Sequence, residues 1–151
     1  MPKPLKLLSL KPGAFQFIQE VKIDAPPARA WKALMNVQGW WKYTMVSGGK
    51  PKLEPWAGGR FYEAGRNGVE ALHGVITYIE PNKLLRLSGQ LGMSHLPVNH
   101  VYIFELQPGG KGTLLRLCHR SHGYMTAKLK EDFQAGWPGL LKELKKLAEE
   151  S

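Results

Sequence analysis

From Lys50 to Gly123 the chain is a row of strand-length runs, and no gap between them is long enough to hold a helix. "KPKLEPW" and "GGRFYEAG" meet at Gly58-Gly59. "GVEALHGVITYIEP" turns at Pro81-Asn82 into "KLLRLSGQ", and "VNHVYIFELQP" turns at Pro108–Gly110 into "GTLLRLCHRSHG". Parallel neighbours need a crossover of a dozen or more residues, so these strands must pair antiparallel. A sheet of this kind has one face to cover, and the ends of the chain supply the cover.

"FQFIQEVKID" (Phe15–Asp24) alternates with period two and reads as a first strand. "APPARAWKALMN" then reads as a helix, with Asp24 as its cap, Pro26-Pro27 at its start, and Ala30, Trp31, Leu34 and Met35 on one stripe. A second short helical turn is expected over Val37–Tyr43. The last segment, "TAKLKEDFQAGWPGLLKELKKLAEES", sets Leu129, Phe133, Trp137, Leu140, Leu141, Leu144 and Leu147 on one face of a long helix. Pro138 lacks the N–H for its i−4 carbonyl, which predicts an interruption and a kink near Gly136. The fold class is therefore α+β: a curved antiparallel sheet of six or seven strands wrapped around a long C-terminal helix, with two short helices after the first strand.

The 151 residues suit one domain, 1–151, with 1–13 as a loosely ordered arm. The arm "MPKPLKLLSLKPG" has no continuous apolar core of signal-peptide length, and no run approaches the ~20 apolar residues of a membrane span. A cytoplasmic protein is expected. The one cysteine, Cys118, has no internal disulfide partner and no nucleophile signature beside it.

Net charge is +9, and most of it lies early: Met1–Lys52 holds nine basic and two acidic residues. That basic third suits either plain solubility or an acidic protein partner. No nucleic-acid motif accompanies it. The histidines lack zinc spacing, and the glycine pairs fit no phosphate-binding fingerprint, so no metal and no cofactor is expected.

"IDAPPARAWKALMN", "LEPWAGGRFYE", "HGVITYIEPNKLLRLSG", "FELQPGGKGTLLRLCHR" and "DFQAGWPGLLKELKKL" occur in that order over nearly the whole chain. Together they resemble the SRPBCC (START-like, helix-grip) superfamily, in the branch related to heat-shock protein 90 ATPase activators and polyketide cyclases. The resemblance implies a helix-grip fold with a space between sheet and helix. Two features depart from the pattern: "LRLSGQLGMSHLPVNH" carries no tryptophan, and Pro138 directly follows the Gly136-Trp137 pair.

The aromatic stretch "NVQGWWKY" fits that space. On a helix Trp40 and Trp41 would point ~100° apart, so one would pack on the sheet and the other would line the space, unless both are structural. Phe133 and Trp137 would form the opposite wall, with Phe61 and Tyr102 completing it. Alternation puts His100, Tyr102, Phe104 and Leu106 on one face, and Leu115, Leu117 and His119 on one face. It also puts His73 with Ala71, Val75, Thr77 and Ile79.

The candidate ligand-binding residues are Trp40, Trp41, Phe61, His73, His100, Tyr102, His119, Phe133 and Trp137. The histidines are either polar handles for a ligand or satisfied core residues. Binding of a hydrophobic or aromatic small molecule is the leading expectation. A polyketide cyclase-like or hydrolase-like enzyme in the same cavity is an alternative, with Glu63, His73, His100, Tyr102 and His119 as candidate acids or bases. A chaperone-ATPase-activator-like interaction module, acting through the basic third, is another.

Overall fold

A computed structural model of the chain describes residues 5–151. Residues 1–4 of the expected arm lie outside the described residues. The remainder of the arm has no regular structure as far as Leu10, and Lys11–Gly13 already belong to the first strand.

The order is β1 (Lys11–Ile23), α1 (Pro27–Met35), β2 (Lys50–Leu53), β3 (Arg60–Ala64), β4 (Glu70–Glu80), β5 (Leu84–Gly89), β6 (Val98–Gly109), β7 (Gly112–Met125) and α2 (Leu129–Glu150). The seven strands form one antiparallel sheet in the order β1-β7-β6-β5-β4-β3-β2. β2 to β7 is thus a meander, and β1 is added beside β7 at its far edge. The helix-grip expectation is met: α2 buries Trp137, Leu140, Leu141 and Leu144 in the same core as Phe17, Phe104, Leu115 and Leu117. Among the described residues no helix is long and apolar enough to cross a membrane.

The long β6–β7 hairpin keeps strict alternation. His100, Tyr102, Phe104 and Leu106 are buried on β6, as are Leu115, Leu117 and His119 on β7. No register shift interrupts this pairing, so period two survives from end to end.

On β4 alternation fails. Phe61 pairs with Gly74 and Tyr62 with Leu72, which leaves His73 as an extra residue in a bulge. A second irregularity falls between Ile76 and Tyr78. His73 therefore shares the buried side with Ile76, and the expected partner Thr77 is exposed. Gly74 beside the bulge is needed for close approach. A Cβ there would stand 2.3 Å from Tyr102 Oη, which crosses Gly74 to donate to the His73 carbonyl at 3.1 Å.

Three helical expectations are corrected. Asp24 does not cap α1. The helix starts at Pro27 after Pro26, out of the side chain's reach, and the Asp24 N–H instead donates to the Glu149 carboxylate at 2.6 Å. The turn after α1 is a single 3₁₀ turn, Val37–Gly39, and Trp40 leaves it with φ −136°. With helical geometry gone, the ~100° argument no longer holds. Trp40 and Trp41 both enter the main core, their rings edge to face at 5.9 Å.

The third correction concerns α2, which runs uninterrupted through Gly136 and Pro138. The carbonyl that Pro138 leaves without a helical donor belongs to Gln134, and Gln19 Nε2 on β1 donates to it at 2.9 Å. At the other end of α2, Arg29 Nη2 donates to the carbonyls of Ala148 and Glu149 at 2.9 and 3.0 Å. One cross-element bond replaces what the proline removes, and a cation closes the helix terminus.

Candidate functional site

A cavity of about 260 Å³ opens between the N-terminal half of α2, the segment after Trp41 and the loop joining β5 to β6. Its lining is almost wholly apolar. Phe133 and Trp137 project from one face of α2, four residues apart, because that stripe must meet the sheet. Trp41 stands opposite, edge-on to Trp137 at 5.8 Å. Gly136 lies between the two aromatic positions of α2, and its missing side chain leaves the cavity open there. Tyr43 and Met45, both about half exposed, form the rim.

His73 also lines the cavity and is almost fully buried. The β4 bulge turns its ring inward, where Nε2 lies 2.7 Å from Glu63 Oε2 on β3. Glu63 is completely buried, and both its oxygens accept the Met45 N–H at 2.9 Å. The carboxylate thus ties the rim segment to the sheet and keeps the imidazole proton on Nε2. His73 Nδ1 is buried and has no partner in good hydrogen-bond geometry. Burial lowers the ring's affinity for a second proton, and the hydrogen bond and charge of Glu63, with the Leu91 backbone beside the ring, oppose this only in part.

A second polar group lies behind Phe133. Trp137 Nε1–H donates to His119 Nδ1 at 2.8 Å. His119 therefore carries its proton on Nε2 and donates it to His100 Nδ1 at 3.0 Å. Ser121 Oγ also contacts His100 Nδ1. Both rings are fully buried. Burial pushes His100 down to about 4. Burial, followed by the charge His100 would carry, pushes His119 down to about 3. Tyr102 is buried too, and its phenol is held above its ordinary range.

Of the residues expected at a site, Trp41, His73, Phe133 and Trp137 come together on the cavity wall. Trp40, Phe61 and Tyr102 pack behind it around a void of only about 10 Å³, too small for a ligand. Trp40 Nε1–H is satisfied by the Leu34 carbonyl at 3.2 Å. His100 and His119 sit beneath Phe133, their rings 4.8 and 4.7 Å from its ring, off the cavity lining. Sequence reasoning missed Tyr43, Met45, Leu91, Met93, Asp132, Gly136 and Leu140 as lining residues. The first four lie in connections with no periodicity to follow, Asp132 and Leu140 flank the aromatic pair on α2, and the glycine contributes by what it lacks.

The fold is similar to that of protein MLL2253 from Mesorhizobium loti, at 24% identity, covering 91% of this chain and 98% of that one, with a TM-score of 0.71. A protein from Rhizobium leguminosarum is similar at 16% identity, with 95% and 100% coverage and a TM-score of 0.74. CalU16 from Micromonospora echinospora is similar at 21% identity, with 93% and 87% coverage and a TM-score of 0.64. At such identities the likeness is one of fold. A comparison with curated proteins gave no significant match. Residues 24–149 match the family described as Activator of Hsp90 ATPase homolog 1-like protein, so the chain belongs to that family, within the SRPBCC superfamily.

Proposed function

We propose that the protein binds a hydrophobic, aromatic small molecule in the cavity between the sheet and α2. The observation that carries this reading is the apolar space of about 260 Å³ that Trp41, Phe133 and Trp137 wall but do not fill. Water in such a space finds few polar partners, so replacing it with an apolar ligand is favourable. The volume falls just below the ~300–1,000 Å³ of drug-sized sites, which suits a ligand of one or two rings.

Native mass spectrometry of the purified chain, followed by thermal shifts with aromatic compounds, tests the reading. A co-purified small molecule, or a rise in Tm, is expected. Gly136→Leu fills the space from α2 and should abolish that rise while the protein stays folded. The nearest atoms to a Cβ at 136 belong to the half-exposed Tyr43, its hydroxyl at 3.2 Å and two ring carbons at 3.7 Å. A clean apo mass with a flat screen would overturn the reading.

A cyclase-like or hydrolase-like use of the cavity has one observation in its favour, the carboxylate-oriented imidazole of the Glu63–His73 pair. Turnover of a bound ester or polyketide-like compound, lost in His73→Phe, would establish it.

A further inference from the structure

Residues 42–48 lie along the mouth of the cavity, with Tyr43 and Met45 on its rim. None of the seven is buried, and none belongs to a strand or helix. Among the described residues a single group ties them by hydrogen bond to another element: the Met45 N–H, which both Glu63 oxygens accept at 2.9 Å. The two rim side chains bridge the mouth. Met45 reaches the loop after β5, where a Cβ on Gly92 would stand 2.6 Å from Met45 Cγ. Tyr43 reaches α2, where a Cβ on Gly136 would stand 3.2 Å from the Tyr43 hydroxyl. The segment thus sits closely on the mouth but is held by little. A stretch with no buried side chain and one fastened amide opens at a small fraction of the cost of unfolding a sheet. Glu63 stays behind in such an opening: it is completely buried on β3 and bonded to His73 Nε2 at 2.7 Å.

We propose that residues 42–48 form a lid that opens while the sheet and α2 stay folded, released when the Met45 N–H leaves Glu63, and that this opening sets the rate at which an aromatic molecule enters and leaves the cavity. The gating role rests on the binding reading above; the opening itself does not. Tyr43 and Met45 flank the fastening point, so its release withdraws both bridges from the mouth together. The fastening belongs to the rigid sheet and the moving part to the rim, which is the division of labour a lid requires.

Native-state hydrogen exchange of the full chain, followed amide by amide by NMR, tests the opening without any ligand. The Met45 amide should be at least about a hundredfold less protected than the slowest amides of β6 and β7, with a rate that does not respond to low urea. Equal protection with the same urea response would overturn the lid. In Glu63→Gln a neutral acceptor occupies the place of the carboxylate, so Met45 should exchange about fivefold faster. Should that variant fail to fold, Met45→Ala, at a half-exposed position, loosens the seat on Gly92 and should speed exchange in the same sense. An unchanged rate in the folded variant would overturn the fastening. Stopped-flow quenching of tryptophan fluorescence by 2-naphthol tests the gating. The observed rate should level off as naphthol is raised, at a plateau that rises in the same variant. A rate proportional to concentration throughout would overturn the gating and leave the binding reading standing. Absence of binding would overturn the binding reading and the gating with it, while the exchange rates still decide the lid.

Discussion

Trp137, His119 and His100 form a one-way chain of donors, and its direction fixes the charge of every member. The indole can only donate, so His119 must present a bare Nδ1 to it and a proton from Nε2 to His100. A second proton on His119 would face the Trp137 N–H. Both rings therefore stay neutral in the folded protein, down to about 4 for His100 and about 3 for His119. Unfolded, each takes up its proton near pH 6.5. Between those values the unfolded chain holds more protons, so stability is lost as pH falls below about 6.5. Each histidine should remove about 2 kcal/mol between pH 7 and pH 5. Urea unfolding at the two pH values checks this; equal midpoints would contradict the buried neutral pair.

At the scale of elements, legibility followed regularity. β6 and β7 could be read residue by residue, because an unbroken ladder keeps inward and outward positions alternating from His100 to Leu106 and from Leu115 to His119. β4 could not, because the bulge at His73 depends on pairing with β3, and no local pattern encodes it. The two tryptophans were legible as buried mass but not as a single packed pair, since the helix ends at Met35. α2 was legible as an amphipathic helix, while the carbonyl that Pro138 frees depends for its donor on Gln19, more than a hundred residues away. That dependence is measurable. Gln19→Ala leaves the Gln134 carbonyl to solvent and should cost about 0.5–1 kcal/mol. Pro138→Ala restores the helical donor and should stabilise the protein by up to ~3 kcal/mol. In the Pro138→Ala background the Gln19→Ala penalty should shrink, and a double-mutant cycle on unfolding free energies reads the coupling.

Across the whole molecule, the sheet order disperses the charge that the sequence concentrates. Lys11 and Lys22 lie on β1 at one edge, while Lys50 and Lys52 lie on β2 at the other. Arg29 is committed to the end of α2. The basic third is thus no single face, which weakens its case as a docking surface for an acidic protein. Ligand binding in the cavity should accordingly change less than about twofold between 50 and 500 mM salt, whereas association through exposed lysines would weaken steeply. Affinities measured across that range separate the two.

The pairing of β1 with β7 also bears on how the chain reaches its native state. Lys11 lies against Met125 and Ile23 against Thr113, so the strand synthesised first pairs with the strand synthesised last. During translation the β2–β7 meander can assemble hairpin by hairpin, while β1 waits with its apolar residues unshielded. Closing that ring demands a large loop entropy before any contact rewards it, which makes it the slow event of folding. A nascent chain of this protein is therefore most exposed to aggregation and to chaperone capture in the interval before residue 125 emerges.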